Sequence, residues 1–331
     1  MTVRADRDPP SNPTNMNNEG KYGPEISGPN ELKDLVRAKY AEIAKQEKGT
    51  NASSCCGAGG CSTEVATIMS DDYSALAGYN PDADLSLGCG LPTEFAQIKP
   101  GDTVLDLGSG AGNDCFVARA ATGPDGRVIG VDFTPEMLAK AKENARKLDY
   151  QNVEFRQGDI EALPLSASMV DVVVSNCVLN LVPNKRQALS EVLRVLKPGG
   201  HFSISDVVLV GDLPPAIQGA AEMYAGCVSG ALQESDYLGI IRELGFEDIT
   251  VQKRKPIILP DDILSNYLST DEIAAFKASG TGIFSVTVFA RKNHSDRVRP
   301  AKERLALKDL TPTNPEGVHA LPGCDLGSGC C

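Results

Sequence analysis

The stretch from Thr103 to Cys115, TVLDLGSGAGNDC, limits the possible fold of this chain more than any other. Val104, Leu105 and Leu107 make a short apolar run that reads as a buried strand, and it breaks directly into Gly108-Ser109-Gly110-Ala111-Gly112. Phe116, Val117, Ala120 and Ala121 then recur at helical spacing. Strand, glycine loop and helix open a nucleotide-binding βαβ unit, where a side chain on the loop would hold the backbone off the ligand. The loop reads G-x-G-x-G, one residue short of the dinucleotide pattern. The next strand, Val128-Ile129-Gly130-Val131, ends in Asp132, where a carboxylate can accept both ribose hydroxyls. On their own, loop and carboxylate fit NAD or S-adenosylmethionine (SAM).

The alternation continues downstream. Thr134-Pro135-Glu136 starts a helix with Thr134 as N-cap. Val153 to Arg156 and the apolar run Val170 to Ser175 read as the third and fourth strands. A helix through Leu189, Val192 and Leu196 stops at Pro198-Gly199-Gly200, and His201 to Val210 is the fifth strand. Pro215 to Gly230 and Ser235 to Leu244 read as helices, and Ile249 to Lys253 and Phe284 to Ala290 as late strands. The order predicts an α/β fold with a parallel, doubly wound sheet. Ahead of it, Leu32, Leu35, Val36, Tyr40 and Ile43 share one stripe of an amphipathic helix over Glu31 to Glu47.

Four ordered segments choose between the cofactors. DLGSGAG, VIGVDFTPEML, GDIEALP and LRVLKPGG resemble the successive signatures of class I SAM-dependent methyltransferases. The resemblance implies a Rossmann-like sheet closed by an antiparallel pair, and a SAM site built from Gly108, Ser109, Gly110 and Gly112. It also implies Asp132 on the ribose, and Asp159 with Ile160 at the adenine. Met137 either packs its helix or lies over the adenine. Asp106 either touches SAM or orients the loop through backbone amides.

Charge and cysteine usage narrow the substrate. Lys plus Arg number 32 against 44 Asp plus Glu, a net charge of −12 with no basic cluster, which argues against nucleic acid. The first residues carry no apolar signal region and no window approaches the ~18 apolar residues of a membrane span, so the expected location is the cytoplasm. In that reducing compartment the ten cysteines serve metal, metalloid or redox chemistry rather than a disulfide framework. Cys115, inside the first core helix, reads as a core residue. Cys89 sits between two glycines on a turn, poorly suited to core packing. Cys177 ends the fourth strand, where open α/β sheets bind ligands, and Cys227 lies on the segment after the fifth. Three thiolates with no accompanying His or Asp do not make an ordinary four-ligand zinc site. They suit a pyramidal, thiophilic centre, and trivalent arsenic is one.

Over roughly residues 30–290 the chain resembles the arsenite S-adenosylmethionine methyltransferases, through YAEIAK…SCCG, LGCG, SNCVLNL and YAGCVSGAL. The resemblance implies that Cys89, Cys177 and Cys227 bind arsenic(III). It implies a further thiol, Cys55 or Cys56 with Cys61 close by, that pairs as a disulfide during turnover; its distance from Tyr40 favours Cys55. It places Tyr40 and Asn176 near cofactor or substrate, and Cys324, Cys330 and Cys331 in a capture cluster. Glutathione or thioredoxin is implied as the reductant.

The expected organisation is a disordered lead over 1–28 and a helical, cysteine-bearing arm over 29–100. A SAM-binding core over 101–212, an arsenic-binding lid with terminal strands over 213–292 and a flexible tail over 293–331 complete it. The expected function is arsenite methylation for detoxification. Two alternatives remain: a small-molecule C- or O-methyltransferase, or a non-catalytic thiol protein that binds arsenic or metal.

Overall fold

The computed structural model of the chain describes residues 28–45, 71–214, 230–258, 261–279 and 281–294. All of them belong to the compact unit Met1–His294. The lead, Cys55, Cys56 and Cys61, the segment holding Cys227, and the tail cysteines lie outside the described residues.

Strands β1 (Thr103–Leu107), β2 (Arg127–Asp132), β3 (Val153–Gln157) and β4 (Val170–Asn176) precede the long β5 (Leu196–Val210). The short β6 (Leu232–Gln233), β7 (Phe246–Pro256) and β8 (Gly282–Lys292) follow. Among the described residues they form one sheet in the order β3-β2-β1-β4-β5-β8-β7, with β6 on β5. The first five strands run parallel, and β8 is antiparallel to β5 and β7. This is the class I SAM methyltransferase fold. β1 lies between β2 and β4, so the connections after β1 and β4 leave the sheet to opposite sides. That switch point opens a crevice beyond the strands' carboxyl ends.

One face of the sheet is covered by α3 (Asn113–Thr122) and α4 (Pro135–Lys147), which bury Phe116, Met137 and Ala141. The other is covered by α5 (Lys185–Val195) and α6 (Glu234–Glu243), with Leu189, Val192, Tyr237 and Ile241. A third apolar cluster gathers at the crevice end of the sheet. It joins Leu32 and Val36 of α1 (Pro29–Lys45) to Cys89, Cys177, Val207, Leu209 and Ile283. Among the described residues the remaining α-helices are α2 (Pro92–Phe95), α7 (Asp261–Leu264) and α8 (Thr270–Ala278).

Two local readings need correction. The helix expected to run through Leu196 ends at Val195, and Leu196, fully buried, is already paired with Val170. Pro198-Gly199-Gly200 sits where the β4–β5 register shifts, so that turn signal marks an irregularity inside a strand. As expected, Thr134 is the N-cap residue of α4, although its side chain makes no cap hydrogen bond. Asp132 takes the Thr134 N–H instead, at 2.8 Å.

Candidate active site

The glycine loop leaves β1 beside the exit of β4, and this neighbour explains its first glycine. Gly108 has φ +66°, and a Cβ there would lie 2.5 Å from Val178 Cγ2. Asp132, 7% exposed, closes the loop from the next strand: its Oδ2 accepts the Gly110 N–H at 2.9 Å. Burial raises the Asp132 carboxyl against these amide hydrogen bonds, which favour its charged form. The loop-orienting role considered for Asp106 is thus performed by Asp132. Asp106 accepts from the Cys115 thiol at 3.2 Å. Burial, and next the charge of Asp114, push Asp106 well up, and burial beside Asp106 pushes the Cys115 thiol up in turn.

A crevice runs from this loop to the end of β4. Asp84, Asp106, Asp114, Asp132 and Asp159 all line it, and Lys33 is the basic residue among its described lining. Lys33 is already engaged, bonded to Asp159 at 2.6 Å and to Glu161. Phe133, Ile160 and Val178 supply apolar surface. Buried at the same crevice, Ser109 Oγ and Thr134 Oγ1 have no hydrogen-bond partner, a costly state unless a ligand completes them. An acidic crevice with apolar walls and orphaned hydroxyls fits SAM, which carries a sulfonium, an ammonium, a ribose and an adenine. Asp132 and Ser109 would face the ribose side, and Phe133 and Ile160 the adenine. Helix α1 covers this end, with Lys33 and Tyr40 in the lining and the Arg37 guanidinium 5.3 Å from the Phe133 ring centre.

Two thiols lie near the end of β4. Cys177, 3% exposed, lines the crevice one residue beyond β4. Its φ is +60°, a left-handed conformation that costs a residue with a Cβ on the order of 1 kcal/mol or more. The Cys177 N–H donates to Ser205 O at 2.8 Å, which holds the turn to β5. Cys89 is fully buried in the same apolar cluster. The Asn176 side chain grips its turn on both sides: Oδ1 accepts the Cys89 N–H at 3.0 Å and Nδ2 donates to Gly90 O at 2.8 Å. Ser285 Oγ donates to Cys89 O. A Cβ at Gly88 would lie 2.5 Å from Asn176 Nδ2, and one at Gly90 2.5 Å from Ser205 Oγ. Neither glycine around Cys89 can carry a side chain in this packing.

Residues 98–245 match the family described as a methyltransferase domain. An arsenite methyltransferase of Halobacterium salinarum is 41% identical over 294 residues, covering 85% of this chain and 72% of that protein. One from Aquipseudomonas alcaligenes is 33% identical over 244 residues, covering 72% and 68%. The chain belongs to the arsenite methyltransferase family. It is a SAM-dependent methyltransferase. Its fold is similar to the crystal structure of an arsenic(III) S-adenosylmethionine methyltransferase from Chlamydomonas reinhardtii, at TM-score 0.55 and 35% identity, covering 63% of this chain and 68% of that one.

For an arsenite methyltransferase family member, the residues named from sequence divide into four groups. Asp106, Gly108, Ser109, Gly110, Asp132, Asp159, Ile160, Asn176 and Cys177 line one crevice. Cys89 stands behind it, tied through Asn176. Gly112 and Met137 do not reach it. Gly112 is the left-handed N-cap of α3, packed against Phe116 and Phe155, and Met137 is fully buried in the core beneath α4. The residue directly after Asp132 that lines the crevice is Phe133. Cys55, Cys56 and Cys227 lie outside the described residues. Sequence reasoning missed Tyr73 and Asp114. Asp114 carried a signal: a carboxylate in the first turn of a helix, immediately past the glycine loop. Burial raises it to about 6, against hydrogen bonds from Tyr73, Asn176 and Thr93.

Proposed function

We propose that this enzyme transfers methyl groups from SAM to trivalent arsenic held by Cys89, Cys177 and Cys227, a chemistry suited to arsenic detoxification. One observation carries the reading: Asn176 ties the Cys89 turn to the strand end bearing Cys177, beside an acidic crevice fitted to SAM. Each thiol would lose its proton to an arsenic-bound hydroxide, releasing water and forming an As–S bond. SAM, when bound, supplies a methyl carbon on a sulfonium whose leaving group is a neutral thioether. The arsenic lone pair is the nucleophile, so no side chain need act as general base. The protein's contribution is positioning, worth up to ~7–11 kcal/mol in favourable cases. Cys177 on its left-handed turn fixes one As–S vector, and Asn176 fixes the backbone of a second.

Transfer raises arsenic formally from the trivalent to the pentavalent state, and two thiols oxidised to a disulfide return the electrons. Cys55 or Cys56 fits that role, with glutathione or thioredoxin as the external reductant, in the cytoplasm. No helix among the described residues is long and apolar enough to cross a membrane. We assign SAM binding and the Cys177 ligand to 101–212, a cysteine-bearing helical arm to 29–100, an arsenic-binding lid with terminal strands to 213–292, and arsenite capture to the tail, 293–331. Valence divides the labour: arsenite offers three exchangeable oxygens, its monomethyl product two, so Cys177 and Cys227 suffice for the second round.

Turnover with methyl-labelled SAM and arsenite tests this reading. The expected product is labelled methylarsenical, lost in the Cys177→Ser protein. Arsenite bound without turnover would mark a thiol carrier, and labelling of an organic acceptor without arsenite would mark a C- or O-methyltransferase.

A further inference from the structure

Tyr73 and Asp114 line the crevice and form a buried chain of hydrogen bonds from the glycine-loop helix to the Cys89 turn. The Tyr73 hydroxyl lies 2.9 Å from each Asp114 oxygen and 3.2 Å from Gly90 O. Its oxygen accepts from Asn176 Nδ2 at 2.6 Å. That nitrogen also donates to Gly90 O, while Asn176 Oδ1 takes the Cys89 N–H. The two amide protons serve Tyr73 and Gly90 at short range, with a longer approach of the same nitrogen to Asp114 Oδ2 at 3.4 Å, and the single phenol proton meets the Asp114 carboxylate. This order also fixes the amide's orientation. A turned Asn176 would set its oxygen against Gly90 O and its NH₂ against the Cys89 N–H.

The geometry points to Tyr73 and Asp114 as positioning residues that set the Cys89 turn through Asn176, and so govern how well the site takes a substrate needing a third thiolate. The inference rests on the reading of Cys89 as the third arsenic ligand. Asp114 orients the phenol, the phenol orients the amide, and the amide holds the backbone on both sides of Cys89. Removing the phenol takes away the shortest acceptor of Asn176 Nδ2, leaving Gly90 O at 2.8 Å and the longer contact to Asp114 Oδ2 at 3.4 Å, and takes the phenol donor from a buried carboxylate. Arsenite, which requires Cys89, suffers from this, whereas trivalent methylarsenical, held by two thiolates, is far less sensitive.

The test is the ratio of kcat/KM for arsenite to kcat/KM for trivalent methylarsenical in the full chain. In the Tyr73→Phe protein the ratio is expected to fall about tenfold, as for loss of one buried, charge-assisted hydrogen bond. Asp114→Ala moves it the same way, and Asp114→Asn, which keeps an acceptor for the phenol, restores it. It also serves if Tyr73→Phe does not fold. A general packing defect would slow both substrates together and leave the ratio unchanged, which overturns the proposal. Cys89→Ser, run in parallel, separates the failures. Equal loss on both substrates in Cys89→Ser would show the ligand reading wrong, and the positioning role falls with it. A shifted ratio in Cys89→Ser, with none in Tyr73→Phe or Asp114→Ala, would leave the ligand standing and remove the positioning role alone.

Discussion

Cys115 and Cys177 are equally hidden from solvent, at 0% and 3% exposure, but their surroundings give them opposite chemistry. Cys115 sits in regular helix, its thiol donating to the buried Asp106, and burial with that neighbouring charge keeps its proton on. Cys177 sits on a left-handed turn past a strand end, its side chain facing the crevice and a strained backbone maintained by Ser205. Burial alone therefore does not distinguish the two: Cys177 has a left-handed backbone and lines the crevice, and Cys115 does neither.

The sharpest way to break this contrast is to exchange sulfur for oxygen at each position. Cys177→Ser is expected to lower methylation of both arsenite and trivalent methylarsenical by at least ~10²-fold, since a soft centre loses a ligand and its placement. Cys115→Ser should change either rate by about twofold or less, because a hydroxyl can still donate to Asp106. Comparable losses in the two variants, measured as methylated arsenic formed per minute, would erase the distinction.

The same contrast holds between Asp132 and Met137, two residues assigned to the cofactor from sequence. Asp132→Ala removes a carboxylate that lines the crevice and holds the glycine loop, and SAM affinity by calorimetric titration is expected to fall at least ~10-fold. Met137→Ala should instead lower unfolding stability by ~2–5 kcal/mol in a denaturant titration, as for a large core side chain, and leave SAM affinity nearly intact.

Sequence legibility followed the same physical division. The β1 strand, its glycine loop and Asp132 were readable because a phosphate- or ribose-binding turn demands particular residue types at fixed spacing, and the site lies where those types lie. Cys89, read from its flanking glycines as poorly suited to core packing, is instead fully buried in an apolar cluster, and the glycines are explained by the close packing of Gly88 against Asn176 and of Gly90 against Ser205. Tyr73 was not readable: nothing local marks a tyrosine whose partners, Asp114 and Asn176, come from distant parts of the chain. Leu196 was misread because a helical stripe and a buried strand both require an apolar residue there, and only pairing with Val170 decides. Helix α8 went unnoticed although Ser269 and Glu272 form a capping box, a signal present in the sequence.

Asp206 extends the comparison to a buried carboxylate. It is fully buried on β5, its Oδ2 has no hydrogen-bond partner, and burial raises it to about 7 against the pull of Lys185. Between its ordinary value of 3.8 and about 7, the folded chain keeps a proton that the unfolded chain has released. Stability contributed at this position therefore falls as pH rises through that window, at a slope of up to ~1.4 kcal/mol per pH unit. Asp206→Asn removes this slope, so its stability relative to wild type should increase from pH 4 to pH 7. Parallel pH profiles of unfolding free energy for the two proteins would refute the assignment.

The smallest effect is expected at the strap over the adenine end. Lys33, Asp159 and Glu161 are partly exposed, so Lys33→Ala should cost ~1 kcal/mol or less in stability. Its rate of SAM release, read by stopped-flow fluorescence, should rise modestly if α1 covers the bound cofactor; an unchanged rate would show that α1 does not gate this end.

The central claim, that Cys89, Cys177 and Cys227 share one arsenic atom, is met most directly by arsenic K-edge X-ray absorption on the arsenite complex. The account predicts a shell of about three sulfurs per arsenic in the wild-type protein, and about two with one oxygen in Cys89→Ser, since each thiolate replaces one hydroxide of the trivalent centre. An oxygen-dominated shell in the wild type, or a shell unchanged by Cys89→Ser, would contradict it.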